Sequence, residues 1–197
     1  MCMKEAPMKN RELKPGYNLQ IATNQQFVID YQLFPNPTDT RTLRPFLDSI
    51  STLDLFSTIA ADAGYGSEEN YQYVIDTLEK TALISYNLYR KEQIKRYQQD
   101  MTRRENWHYD ETLDLYVDHH GVQFSFSHYS QKKDKYGFER AFKVYQADKV
   151  QATEALDELA RTKSGYQRKI SINQLWESYK QQVNEALESE SGKRLYG

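Results

Sequence analysis

At 197 residues the chain is long enough for one good-sized domain with a real core, or for one domain carrying an insertion. A formal charge of −2 excludes an overall polyanion-binding field, and the single cysteine, Cys2, excludes disulfides and cysteine zinc sites, making a reducing compartment the default. A hydrophobic content of 39% with mean hydropathy −0.86 is polar for a compact globule, partly offset by sixteen tyrosines that each bury a ring and keep a polar tip.

Residues 1 to 16 are polar. Met1-Cys2-Met3-Lys4-Glu5 lacks the apolar core of a secretion signal, and no apolar run approaches the ~20 residues of a membrane span. A cytoplasmic protein with no membrane partner is expected, its N-terminus frayed around Cys2. Lys14-Pro15-Gly16 is a breaker that hands over to a strand. Tyr17 to Thr23 and Phe27 to Leu33 both alternate apolar and polar, so the pair predicts a β-hairpin with one wet face, stopping at Pro35-Asn36-Pro37. Leu43, Phe46, Leu47 and Ile50 form the stripe of an amphipathic helix. Pro45 suits its first turn and Thr42 its cap, leaving Asp39 as a turn or cap residue.

The stretch from Ser57 to Tyr71 organises the chain. A short run of small and apolar residues, Ile59-Ala60-Ala61, ends in Asp62. Gly64 and Gly66 allow a sharp turn, Ser67 is a good N-cap, and Glu68 and Glu69 suit the positive end of the helix it starts. Buried strand, tight turn and helix are predicted, with Asp62 at the strand's C-terminal tip, where ligands bind in open α/β sheets. A carboxylate there is placed to hold a divalent metal. The plainer alternative is that it accepts hydrogen bonds from the turn's own N–H groups. Tyr71, Val74, Ile75 and Leu78 continue the helix, and Ala82 to Tyr86 reads as a parallel strand buried on both faces. Residues 17 to 87 thus predict β-β-α-β-α-β, a mixed sheet flanked by helices.

From Leu88 the character changes. Arg90 to Arg104 carries six basic side chains (Arg90, Lys91, Lys95, Arg96, Arg103, Arg104) against two acids and is expected to be helical. A tyrosine-rich meander follows, built from Leu115 to Val117, Val122 to His128 and Phe138 to Tyr145. Lys132, Lys133 and Lys135 sit in its second turn. Basic residues interleaved with tyrosines suit phosphates and stacked bases, and they equally suit a solvated face. The histidines, all between 108 and 128, read as exposed polar residues rather than a metal site. Lys149 to Thr162 and Ile170 to Ser189 are expected to be helices. In the second, Trp176, Tyr179 and Val183 form either plain core or a face for a partner. Ser191-Gly192 should end it.

Lys14-Pro-Gly-Tyr-Asn-Leu-Gln-Ile-Ala22, Asn36-Pro-Thr-Asp-Thr40 and Ala61-Asp-Ala-Gly-Tyr-Gly-Ser-Glu-Glu-Asn-Tyr71, in this order, resemble bacterial insertion-sequence transposases of the DDE group, whose catalytic domain is RNase H-like. Arg168 to Lys180 and Gly192 to Tyr196 resemble the region leading to that family's last catalytic motif. The resemblance implies an α/β, RNase H-like mixed sheet flanked by helices, with a strand-rich insertion and C-terminal helices. Residues 1–87 would be a partial catalytic core, 88–148 a basic helix with a β-meander insertion, and 149–197 helices returning to the core.

In such enzymes three acids collect two divalent ions, Mg²⁺ or Mn²⁺, for cleavage and strand transfer at DNA ends. The resemblance puts the second acid on Asp62. The family's first aspartate lies on a strand well upstream of the Lys14 block, and Glu5 and Glu12 do not resemble its motif. The family's glutamate follows a Tyr-x-x-Arg arrangement just beyond Leu195-Tyr196, and the cysteines that relatives often carry in the insertion are absent. The resemblance therefore implies the middle of a transposase, truncated and inactive alone, with element-end DNA and other transposase chains as partners. The missing first strand would leave two unpaired edges facing each other. A non-catalytic nucleic-acid-binding or protein-interaction module is the alternative.

Overall fold

The computed structural model of the chain describes residues 2–5, 13–36 and 38–196; Glu12 and Pro37 lie outside them. The chain divides into two units, one of Met1–Asn87 with Tyr179–Gly197, the other of Leu88–Ser178.

In the first unit, Cys2–Glu5 (β1) pairs antiparallel with Leu13–Gly16 (β2), so Cys2, expected in a frayed terminus, is part of a ladder opposite Gly16. Asn18–Asn24 (β3) and Phe27–Phe34 (β4) form the expected hairpin. Its two-residue turn holds Gln25 and Gln26 at φ 48 and 71, the left-handed geometry that matches strand twist in tight hairpins. The alternation is as expected, but the faces are reversed. Asn18 and Gln20 are buried, whereas Leu19, Ile21, Tyr31 and Leu33 are all more than half exposed. The inward face has polar partners to satisfy, and these outweigh the transfer of four apolar side chains.

Leu43–Ser49 (α1) buries Leu43, Phe46 and Leu47, and Ile50 just beyond it is also buried, which completes the expected stripe. Thr42 does not cap it by accepting a bond. Its hydroxyl donates instead to the Asp39 carbonyl at 2.8 Å. Thr58–Ala61 (β5) is followed by a 3₁₀ turn at Ala63–Tyr65 and by Glu68–Tyr71 (α2), which passes into a π-helical segment at Gln72–Thr77. Thr81–Ile84 (β6) runs parallel to β5 and is buried on both faces at Ala82, Leu83 and Ile84. By contrast β5, expected to be buried, is half exposed.

The reason lies in the pairing. Instead of one mixed sheet, the described strands of this unit form separate pairs, β1 with β2, β3 with β4 and β5 with β6, so β3 and β5 each keep an unpaired edge. A cavity of about 560 Å³ is lined by Gln20 to Asn24 of β3 and Thr58 to Ala61 of β5, with Leu43, Phe46, Leu47 and Ile50 on its wall. The α/β class holds, as separate strand pairs rather than a continuous sheet.

In the second unit the expected basic helix is broken into Tyr89–Glu92 (α3), Lys95–Gln98 (α4) and a 3₁₀ turn at Arg104–Asn106. Ile94 is extended, with ψ 126, and interrupts the first two. His108–Asp110 (β7), Leu115–Val117 (β8), Gln123–Lys133 (β9) and Glu139–Ala147 (β10) form an antiparallel meander. Glu154–Leu159 (α5), capped by the Thr153 hydroxyl, is shorter than the pattern predicts. Lys169–Ile172 (β11), expected as helix, is a strand that completes the sheet beside β10. Val122, Phe124, Tyr145, Ala147, Ala160 and Ile172 form the core of this unit.

Gln174–Glu188 (α6) starts after Asn173, whose side chain accepts from the Trp176 N–H at 2.9 Å. From Tyr179 on it belongs to the first unit, where Tyr179, Val183 and Leu187 are buried as core. Glu190–Tyr196 (α7) continues through Gly192 rather than stopping there. A methyl on Gly192 would overlap the Ala186 carbonyl, so the glycine serves close packing, not termination.

Candidate active site

The small residues of β5 run out at Ala61, and Asp62 follows at the C-terminal end of the parallel pair, exposed to solvent. Its backbone is extended, with φ −75 and ψ 175, and it caps the 3₁₀ turn. Oδ1 accepts the Gly64 N–H at 2.7 Å. One carboxylate oxygen thus serves the turn, as the sequence allows, and the side chain is held in one orientation. The Ser67 hydroxyl accepts from the Asn70 N–H at 3.2 Å and caps α2, with Glu68 and Glu69 in its first turn.

Asp39, expected as a turn or cap residue, opens the 3₁₀ turn Asp39–Arg41, but its side chain points elsewhere. Asn18 Nδ2 donates to Asp39 Oδ1 at 2.7 Å and Gln20 Nε2 at 3.3 Å, and Gln20 Nε2 also donates to Asn18 Oδ1 at 3.0 Å. The Tyr65 hydroxyl donates to Gln20 Oε1. These bonds are what the buried Asn18 and Gln20 require, since an unpaired buried amide is costly. They explain why β3 turns its polar face inward.

The Thr40 hydroxyl donates to the Gly64 carbonyl at 2.8 Å, while Asn70 Nδ2 donates to the Thr40 and Tyr65 carbonyls at 2.9 and 2.7 Å. The Asp62 turn is therefore tied to the Asp39 segment from several sides. A methyl on Gly64 would stand 2.9 Å from Asp62 Oδ1 and 3.3 Å from Asp39 Oδ2, so the two carboxylates lie within about 6 Å of each other over the glycine. Burial first, then the carboxylates of Asp39 and Asp62, push the Tyr65 phenol up to about 12, against the bond to Gln20. By sequence Asp39 reads as a turn or cap residue. The available signal was a pair of amides, Asn18 and Gln20, on one strand face.

The basic residues fall in two places. Arg90, Lys91, Lys95 and Arg96 are exposed along α3 and α4. Arg103 pairs with Asp100 at 3.2 Å and lies over the Tyr97 ring. Arg104 donates to the Ser171 carbonyl at 2.7 Å and pairs with Glu105 and Glu177. Lys132, Lys133 and Lys135 are exposed at the far end of the β9–β10 hairpin. Lys133 pairs there with Glu139 at 3.2 Å, and Lys132 and Lys135 lie over the rings of Phe142 and Tyr136. His119 and His120 are exposed in a turn, rings 3.9 Å apart.

The family model described as the transposase DDE domain matches residues 3–185. The chain belongs to this family. No curated protein and no solved structure matches it. DDE transposases act on DNA and generally use divalent metal ions. Among the described residues of this DDE domain no group of three or more His, Cys, Asp or Glu side chains is gathered as for a metal ion. The Asp39–Asp62 pair nonetheless fits such an ion in kind. Both donors are carboxylate oxygens, which suit Mg²⁺ or Mn²⁺, and the missing Cβ of Gly64 leaves room for both. No helix among the described residues of the domain is long and apolar enough to cross a membrane.

Proposed function

We propose that this chain is the middle portion of an insertion-sequence transposase catalytic domain, RNase H-like in fold and working in the cytoplasm. In this reading Asp62 is the second of three acids that hold Mg²⁺ or Mn²⁺. The observation that carries it is the exposed Asp62 carboxylate at the C-terminal end of β5, fixed by the Gly64 N–H and beside a second strand running the same way. Held there, a divalent ion would supply Lewis acidity to the attacking water or 3′-hydroxyl and to the leaving oxygen of the phosphodiester. Asp62 would hold the ion, Gly64 would keep its carboxyl aimed outward, and Asn18, Gln20 and Tyr65 would keep the neighbouring Asp39 in place.

The RNase H-like arrangement is supported by the cavity between the β3–β4 and β5–β6 pairs. One further strand there would hydrogen-bond to the unpaired edges of β3 and β5 and join all four strands into one mixed sheet. The family carries its first acid on such a strand. We assign that strand, and the glutamate, to polypeptide other than the described residues. Incubated with element-end DNA and Mg²⁺ or Mn²⁺, this chain should cut nothing. With the two missing segments supplied from an intact relative it should cut, and Asp62→Asn should abolish the cutting. Cleavage by the chain alone, or cleavage that survives Asp62→Asn, would refute this reading.

For contact with DNA the β9–β10 hairpin is the best-supported surface. β8 pairs with β9 only over Gln123 to Ser125 and β11 with β10 only over Lys143 to Gln146, so beyond these the two strands form an exposed ribbon. A two-stranded ribbon fits the major groove, and its lysines meet phosphates. Lys132→Glu with Lys135→Glu should weaken DNA binding at least about tenfold and reduce the slope of log affinity against log salt by about 2. An unchanged slope would remove the ribbon from the interface.

A further inference from the structure

We infer that Asp39 is a second carboxylate ligand to the divalent ion held by Asp62, which rests on the reading of Asp62 just given. Asp39 lies 23 positions upstream, on a different element, and no sequence spacing joins the two. The fold brings them together at Gly64, where a methyl group would meet an oxygen of each, Asp62 Oδ1 and Asp39 Oδ2. Any side chain there would occupy the space between the acids.

The orientation of Asp39 is also set. Two buried amides, Asn18 and Gln20, donate to Oδ1, and Gln20 is held in turn by Asn18 and by the Tyr65 hydroxyl. Oδ2 is the oxygen left toward Gly64 and Asp62. Neither carboxylate forms an ion pair with a Lys, Arg or His among the described residues. Arg41, two residues from Asp39, pairs with Glu69 at 3.3 Å. Two carboxylates that share this space without a cationic partner are donors a divalent ion could join. A Tyr65 hydroxyl committed to Gln20 and two amides committed to Asp39 are the supports that a metal-bound carboxylate needs to keep its geometry.

The test is Mn²⁺ binding to the full chain, followed by electron paramagnetic resonance and calorimetry, so that catalysis is not required. The wild type should bind Mn²⁺, and Asp62→Asn and Asp39→Asn should each weaken binding at least tenfold. Asn at 39 keeps an acceptor for Asn18 and Gln20, so the thermal transition should move little. In a Cys2→Ser background, Asp39→Cys should lose Mn²⁺ affinity and gain Cd²⁺ affinity, because thiolate prefers the softer ion. That exchange identifies a ligand even if Asp39→Asn folds poorly. Loss of Mn²⁺ with Asp62→Asn but not with Asp39→Asn, or Asp39→Cys without the Cd²⁺ gain, would overturn the assignment of Asp39 alone. A wild type that binds no Mn²⁺ would overturn the reading of Asp62 and this inference with it.

Discussion

Arg168→Met is expected to destabilise the Leu88–Ser178 unit by about 3 kcal/mol, the cost of leaving a buried charge without its partner. The Asp118 side chain is fully buried, and Arg168 Nη1 reaches its Oδ2 at 2.9 Å. The other oxygen accepts the N–H groups of His120 and Val122 at 2.9 and 3.0 Å. Burial alone would raise the Asp118 carboxyl. The bond from Val122, then Arg168 and the bond from His120, outweigh it and hold the group below the usual carboxylate range. Methionine keeps the stem of Arg168 against the Phe124 and Trp107 rings but removes the charge and its bond to the Leu159 carbonyl. Asp118 would then keep its two backbone donors and lose its counter-ion.

Urea unfolding followed by tryptophan fluorescence reads this directly, since Trp107 packs on Phe124 in the same core. For a unit of this size the thermal midpoint should fall by about 10 °C or more. The pH dependence has a definite sign. A carboxyl depressed in the folded state contributes stability that is fully present above its unfolded value and is lost as pH falls through its folded value. The acid side of the stability curve should therefore flatten in Asp118→Asn. A midpoint for Arg168→Met within a degree or two of wild type would mean that the pair contributes nothing.

What the sequence makes legible is local chemistry. Ile59 to Ser67 is strand, turn and capped helix because small residues, glycines and a hydroxyl stand in that order, and each acts on its near neighbours. The helical stripe from Leu43 to Ile50 and the alternating meander strands are equally local. Illegible parts are those in which a distant group decides. Ile170 to Ile172 suits helix or strand by pattern, and the open edge of β10 selects strand. Leu19 and Ile21 satisfy every rule for an inward face, yet Asn18 and Gln20 turn inward because Asp39 and Tyr65 await them. The same tertiary fact hides half of the candidate site. Asp62 announces itself by its place at a strand end, whereas Asp39 becomes its neighbour only through Gly64.

Gly66→Ala should be strongly damaging to the first unit, and for a reason unlike the usual one for glycine. Its φ of −66 and ψ of 103 are open to any residue, so no backbone strain is involved. Space decides. A methyl at this position would overlap the Ser85 carbonyl oxygen and stand 2.9 Å from Tyr86 Cα and 3.0 Å from the Tyr71 hydroxyl. Two of these are main-chain atoms just past the end of β6, whose residues Ala82 to Ile84 are buried, so they have little room to give. The third is held too, because Tyr71 is fully buried and donates to the Ile84 carbonyl at 2.8 Å. Relief would have to come from the loop, by lifting the Gly64–Ser67 stretch off β6 and carrying the Asp62 carboxylate with it.

Overpacking of this kind costs about 3 kcal/mol when backbone must move. Gly121→Ala supplies the control. There φ is +94 and nothing lies within 4 Å, so the cost is the backbone penalty alone, about 1 kcal/mol. Thermal denaturation should rank the two variants clearly, and Gly66→Ala should also lose Mn²⁺ affinity while Gly121→Ala retains it. Equal midpoints would show that the loop is looser than its contacts imply, and that Asp62 is not held against the end of the parallel pair.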